Sequence, residues 1–500
     1  MKLVIIQVLY LVIQVMCDPN SYFTKRELLK RTEMYSSLGG NTALSDNETT
    51  VNNCLMQRKF KELDYAFDNP QYFNMSENYF KYKDRMRESK LYKIIQRMPK
   101  GAGLHLHDMA LLGPDYLVNI TYMDDLYVCF DKDGLHLKFS KMKPVNWGKC
   151  GNWQLMSEAR HSVNNVSKFD NEIRKHFTMV VDNPDKVYTS ITDTWGALMK
   201  YFSTVIDLLT YRPVWEQYFY DALKKYREDN LMYLEVRSIL PPLYELNGTV
   251  NNQLMTANSY KKAIQRFIAD YPDFIGVKII FAPARNVDRT VVDRYIKLAK
   301  QIKDAMPDMF AGFDLVGQED LGKPLINFVP QLLQATDLTY FFHAGETDWY
   351  GTSTDENLYD AILLGAKRIG HGYALAKHPV LMKAVKQRDI GLEVNLISNA
   401  VLSLVRDMRN HPLNIFLANG LPVVLSSDDP GAWEAEPMSD DYYVAFLGAS
   451  SRHSDLRLLK TLATNSLKYS ALDPVKKQQT LDAFRLQWNE FINEFDCSVY

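Results

Sequence analysis

The sequence has no C-x-x-C pair, no glycine-rich phosphate loop and no surplus of basic charge. Each absence closes off a class of function. Lack of C-x-x-C argues against a cysteine zinc site and excludes base deaminases of the H-x-E…P-C-x-x-C type. Neither G-x-G-x-x-G nor G-x-x-x-x-G-K-[ST] occurs, so nothing marks a dinucleotide fold or a P-loop. The formal net charge is −2, with 58 Lys and Arg against 60 Asp and Glu, which gives no electrostatic reason to expect a nucleic acid partner. Histidine is scarce as well, 10 in 500 residues, so the places where histidines gather carry information.

Long apolar runs are missing except at the start. Residues 1–17, MKLVIIQVLYLVIQVMC, place Lys2 before a nearly all-apolar stretch that ends in small residues. This reads as a secretory signal peptide cleaved after Cys17. A retained anchor is the alternative, but a spanning helix needs ~20 apolar residues. The mature chain is therefore expected to be soluble, secreted and without a membrane span. N-x-S/T sequons at Asn47, Asn74, Asn119, Asn165 and Asn247 agree with export. Beyond the leader four cysteines remain. Cys129 and Cys150 bracket a short polar segment and are expected to pair, whereas Cys54 and Cys497 pair or stay free. A hydrophobic content of 46% is a globular value, and 30 Tyr with 24 Phe argue against extensive disorder.

Four regions follow the leader. Residues 18–98 are rich in Lys, Glu, Tyr and Asn, and ENYFKYKDRMRESKLYKIIQRM has amphipathic helical spacing, so this region reads as a helical arm. Residues 99–111 form a first strand. Residues 112–178 mix short β-like alternations, a D-G turn and the cysteine pair, and read as a small inserted module. From 179 to 500 short β-like runs alternate with longer helical ones. The runs LMYLEVRSIL, GVKIIFAPAR, MFAGFDLVGQED, TYFFHAGET, RIGHGYAL, GLEVNLISN and PVVLSSDDP, with GLHLHDMA, make eight. That pattern predicts an α/β fold, a (β/α)8 TIM barrel. A doubly wound open sheet is the alternative, though it usually carries the glycine-rich loop that is missing here.

The stretch KGAGLHLHDMA, residues 100–110, holds two histidines two apart. On a strand, residues i and i+2 share a face, so His105 and His107 point the same way. Barrel active sites are built at the C-terminal strand ends, and those ends carry His343 and Glu346 in HAGE, His371 in GHG, and Asp428 with Asp429 in SSDDP. Three imidazoles and a carboxylate suit zinc, and His105, His107, His343 and Asp428 are the expected ligands of one Zn2+ per chain. His371 is placed to take a proton from a metal-activated water or to orient it. Glu346, three residues past His343, is placed to act as a protonated acid toward a ring nitrogen.

The segments MPKGAGLHLHD, FFHAGETDW, RIGHGYAL and SSDDP resemble the signature segments of the adenosine deaminase superfamily. The leader, arm and cysteine-bracketed insert resemble its secreted branch, the adenosine deaminase-related growth factors, over nearly all of the mature chain. The resemblance implies a zinc-dependent barrel that hydrolyses adenosine to inosine and ammonia, with Glu346 protonating N1, His371 acting on the water and Asp429 near N7. It implies substrate contacts at Asp108 and Gly317, a homodimer formed through the arm, and a receptor-binding insert with a growth-factor role. Trp195 and Phe202 lie seven apart on one helix face; they form ordinary packing or, as the resemblance implies, an aromatic wall over the nucleoside. Ala284 and Gln318 stand where related chains have histidine, which bears on ribose contacts and not on the reaction class. AMP deamination would call for a basic cluster near the strand ends, and the motifs show none. A secreted receptor-binding signalling protein that keeps the barrel only as a scaffold is the reading from another class.

Overall fold

The computed structural model describes residues 19–132, 134–145 and 150–500, so the expected signal segment 1–17 lies outside the described residues. Eight parallel strands form the centre: β1 (Gly101–His107), β5 (Leu231–Ser238), β6 (Gly276–Phe281), β7 (Phe310–Phe313), β8 (His343–Ala344), β9 (Arg368–His371), β10 (Gly391–Val394) and β11 (Val423–Leu425). They pair as two four-stranded sheets, β1-β5-β6-β7 and β8-β9-β10-β11. Both seams between the sheets are bridged. His107 N–H donates to the Asp428 carbonyl at 3.1 Å, and Phe313 N–H donates to the Thr339 carbonyl at 2.8 Å. The result is the (β/α)8 barrel expected from the alternation. Every residue of β5 is buried, as a strand covered on both faces requires.

The helices between strands bury one stripe each. Gln253–Asp270, capped by Asn252 accepting from Met255 N–H, buries Thr256, Tyr260, Ala263, Ile264 and Phe267 at helical spacing.

The insert builds its own three-stranded antiparallel sheet from β2 (Leu126–Asp131), β3 (Gly134–Phe139) and β4 (Gln154–Leu155). Cys129 and Cys150 are bonded as expected, and Trp153 packs on the bridge.

The arm departs from the simple picture of an appendage. Its amphipathic stretch is two helices, Tyr79–Arg87 and Lys90–Arg97, because Ser89 caps the second by accepting from Tyr92 N–H. Together with the helix Asp46–Asp68 they place Val51, Leu55, Tyr79, Tyr82, Leu91 and Ile95 in the main core. Trp488 Nε1–H donates to Glu48 at 2.8 Å, tying the arm to the helix Pro474–Asn493. Cys54 and Cys497, left open by the sequence, are bonded across 443 residues. The helix Pro19–Ser36 stands with its apolar side chains exposed, among them Tyr22, Phe23, Leu28 and Leu29. No helix among the described residues is long and apolar enough to cross a membrane.

Closing so long a loop removes much of the unfolded chain's freedom. The double substitution Cys54→Ser, Cys497→Ser is expected to cost about 2–4 kcal/mol of stability with the fold retained. Calorimetry reads this as a lower unfolding midpoint with an unchanged circular dichroism spectrum.

Candidate active site

The C-terminal ends of four strands converge on one buried cluster. β1 delivers His105 and His107, β8 delivers His343, β9 delivers His371, and Asp428 and Asp429 follow β11. Ring centroids lie 4.5 Å apart for His105 and His343, 4.9 Å for His105 and His371, and 5.5 Å for His107 and His343. Asp428 Oδ1 is 3.0 Å from His107 Nε2 and 3.4 Å from His105 Nε2. His371 and Asp428 hold left-handed backbone, φ 60 and 61, which non-glycine residues keep only where the surroundings enforce it.

Beneath the cluster, the ring orientations are set by carboxylates. His105 Nδ1 lies 2.7 Å from Glu393 Oε2, and His343 Nδ1 lies 2.6 Å from Asp314 Oδ2. Both acids are wholly buried. Burial alone would raise the pKa of Asp314, but His343 and Arg237 outweigh it and hold the carboxyl well below the usual range. The same contest at Glu393 is won by Arg237 and Arg368. An ionised carboxylate only accepts, so each imidazole carries its hydrogen on Nδ1 and leaves the Nε2 lone pair facing the cluster. Burial draws the pKa of His343 down to about 3, so the ring is neutral.

That arrangement fits a metal. His105 Nε2, Asp428 Oδ1, Glu346 Oε1 and Asp429 Oδ1 are buried with no hydrogen-bond partner among the described residues. Donor atoms of His105, His343, His371 and Asp428 lie within 4.8 Å of one another, and a second group, His107, Asp428 and Asp429, shares Asp428. The charges agree. Beneath the rings Glu235, Asp314 and Glu393 pair with Arg237 and Arg368, three carboxylates to two guanidinium groups, and Asp428 adds a further carboxylate beside the rings.

Glu346 stands beside the cluster, its Oε1 3.4 Å from His371 Nε2. Burial pushes its pKa well above the usual value, and the charges of Asp428 and Glu319 push it further, which favours its protonated form. Asp429 is raised by burial and by Asp428. Asp108 is buried after β1 and accepts from Tyr260 Oη at 2.6 Å, with burial raising its pKa. Gly317 takes φ 105 in the loop after β7, open to left-handed backbone only at a strain for other residues.

Trp195 and Phe202 are half-buried on the helix Ile191–Leu209 and pack against the main core. Neither has a hydrogen bond or ring contact with the cluster among the described residues. Their helix does reach the exit of β1, where Tyr201 Oη donates to the Met109 carbonyl at 3.4 Å. Gln318 Nε2 is buried without a partner among the described residues.

Sequence reasoning passed over the residues that act through others. Glu393 and Arg368 are charges inside apolar strands, as are Glu235 and Arg237 two apart in LEVRS, a signal the sequence carries. Ser398, donating to Asp428 Oδ2 at 2.7 Å, and Asn399, 3.0 Å from His371 Nδ1, had no such signal.

A barrel with histidines and acids at its strand ends defines the amidohydrolase class of metal-dependent hydrolases. Comparison narrows the class. The family profile described as Adenosine deaminase matches residues 173–485, and that described as Adenosine/AMP deaminase N-terminal matches residues 3–95. An adenosine deaminase of Phlebotomus duboscqi is 44% identical over 97% of this chain and 94% of its own. Adenosine deaminase 2 of Homo sapiens is 38% identical over 94% of this chain and 93% of its own. Among solved structures, a zinc-bound amidohydrolase from Burkholderia ambifaria aligns with TM-score 0.58 at 16% identity, over 82% of this chain and 95% of that one. The chain belongs to the adenosine deaminase family, in its adenosine deaminase 2-like branch.

Replacing Asp314 by Asn puts a neutral amide in place of the carboxylate behind His343. Metal affinity is expected to fall by about 10–100-fold, measured by chelator competition, whereas His105→Ala or Asp428→Ala should leave elemental analysis with little bound metal. A full metal complement in both alanine variants would reject the ligand set.

Proposed function

We propose that the protein is a secreted zinc-dependent adenosine deaminase that hydrolyses adenosine and 2′-deoxyadenosine to the inosine nucleosides and ammonia. The observation that carries this reading is a buried carboxyl with a raised pKa, Glu346, set against a nitrogen and oxygen donor cluster. His105, His107, His343 and Asp428 would hold the ion. Zinc, when bound, lowers the pKa of water from ~15.7 to about 7 and so makes hydroxide available near neutral pH. Glu346 donates its proton to N1 of the purine, Asp429 accepts a hydrogen bond near N7, and His371 orients the attacking water. Asp108 and Gly317 contact the nucleoside, with Trp195 and Phe202 walling its ring. The names of relatives covering nearly the whole chain support adenosine as substrate.

Export is supported by the leader, the sequons and two disulfides. The exposed apolar side chains on Pro19–Ser36 support a homodimer formed through that helix, and the disulfide-bonded insert is the candidate receptor-binding module of a growth-factor role. The intact cluster argues against a scaffold-only signalling protein.

An ultraviolet assay should show adenosine converted to inosine and the rate lost to a chelator. Glu346→Gln keeps size and hydrogen bonding but has no proton to give, so kcat should fall by about 10²–10⁴-fold with adenosine KM little changed and metal retained. Loss of metal would make Glu346 a ligand; retained kcat would move proton donation elsewhere. Deleting residues 19–36 should convert a dimer to a monomer by light scattering, and a monomeric full-length chain would refute the dimer.

A further inference from the structure

The histidines of the cluster do not share one kind of partner. His105 and His343 turn Nδ1 toward carboxylates, but His371 turns Nδ1 toward the side-chain amide of Asn399 at 3.0 Å. Which end of that amide faces His371 is decided one step further out. The backbone N–H of Leu413, which can only donate, donates to His411 Nδ1 at 3.0 Å. His411 is wholly buried, and burial draws its pKa down to about 3, so the ring is neutral and its single hydrogen sits on Nε2. That Nε2–H donates to Asn399 Oδ1 at 3.0 Å. Asn399 must therefore present its NH2 to His371, and His371 Nδ1 accepts. Turning the amide over would set an NH2 against a ring nitrogen that already bears hydrogen.

The relay is enclosed. Tyr373 lies edge-on to the His411 ring at 5.5 Å and donates to the Leu404 carbonyl at 2.8 Å, while Leu404 N–H donates back to the Asn399 carbonyl at 2.9 Å. Asn399 and His411 are both fully buried, so no water competes for these atoms.

With Nδ1 accepting, neutral His371 carries its hydrogen on Nε2. That atom faces Glu346 Oε1 at 3.4 Å and Asp428 Oδ2 at 3.7 Å. It offers no lone pair there, neither to a metal nor to a proton. We propose that Asn399 and His411 are positioning residues that fix His371 as an Nε2–H donor, which keeps it out of the metal's ligand set and aims it at the oxygen that attacks the purine. This rests on the deaminase reading above for its role, though not for the tautomer itself. His371 then steers the attacking oxygen and takes no proton at that atom.

The test uses zinc-loaded protein with 15N-labelled histidine, the His371 signals assigned by their loss in His371→Gln. The expected spectrum has His371 Nδ1 unprotonated and Nε2 protonated. A hydrogen on Nδ1 overturns the proposal whatever the activity, and an inactive wild type with the expected tautomer overturns the deaminase reading instead. Asn399→Asp is acceptor-only, so it should move the His371 hydrogen to Nδ1 and lower kcat by about 10²-fold with KM and metal content held. His411→Leu frees the amide to turn and should lower kcat in the same way, whereas His411→Gln can still donate to Asn399 and should keep most of it. A merely structural relay predicts that stability falls in all three variants without a tautomer change, and an unchanged tautomer in both Asn399→Asp and His411→Leu refutes the assignment.

Discussion

A carboxylate removed from water costs several kcal/mol unless cations and hydrogen bonds replace the lost hydration, and this barrel buries Glu235, Asp314 and Glu393 completely. Arg237 and Arg368 are what make that tolerable. Arg237 spans Asp314 and Glu393 at 2.8 and 2.7 Å, and Arg368 spans Glu393 and Glu235 at 2.5 and 2.6 Å. Their remaining N–H groups reach the carbonyls of Leu104, Phe341 and Tyr469. Two planar guanidinium groups thus knit β1, β5, β9 and β10, with residues flanking β7 and β8, from inside, and two of the carboxylates they hold are those that orient His105 and His343. Removing one arginine would leave a buried charge unpaired, a cost of about 3–5 kcal/mol, and would release an imidazole at the same time.

The tautomer of each ring follows from its far nitrogen. A carboxylate there leaves a lone pair at the near nitrogen; an amide NH2 there leaves a hydrogen. Three histidines that look alike in the sequence, His105, His343 and His371, are sorted into different chemistry by partners on other elements. Glu346 is sorted in a similar way. Burial and the charge of Asp428 push its pKa up, and Glu319, which accepts from the backbone N–H of Gly345 and Glu346 and from Asn357 Nδ2, adds to the push. Paired carboxylates driven apart in pKa are a familiar route to an acid at neutral pH.

The strands were legible because parallel barrel strands are buried on both faces and read as apolar runs, even where β8 shrinks to two residues. Histidines and acids at strand ends were legible because polar residues there are costly without a purpose. Asn399, Ser398 and His411 were not, since each acts through another residue and no spacing marks them. The burial of the arm also escaped, because Val51 or Tyr82 is core only once the C-terminal helices cover it. The Cys54–Cys497 bond could not be read either, as 443 residues separate its ends.

The seam between β1 and the segment after β11 sets an order in time. His105 N–H bonds to Ser426 across 321 residues, so during synthesis β1 waits with one edge unpaired until residue 428 has been made. An open strand edge is a template for pairing with other chains, and the bond that staples the arm cannot form before residue 497. The protein therefore spends most of its translation in a state with no closed barrel and no second disulfide, where its safety depends on whatever holds nascent chains apart.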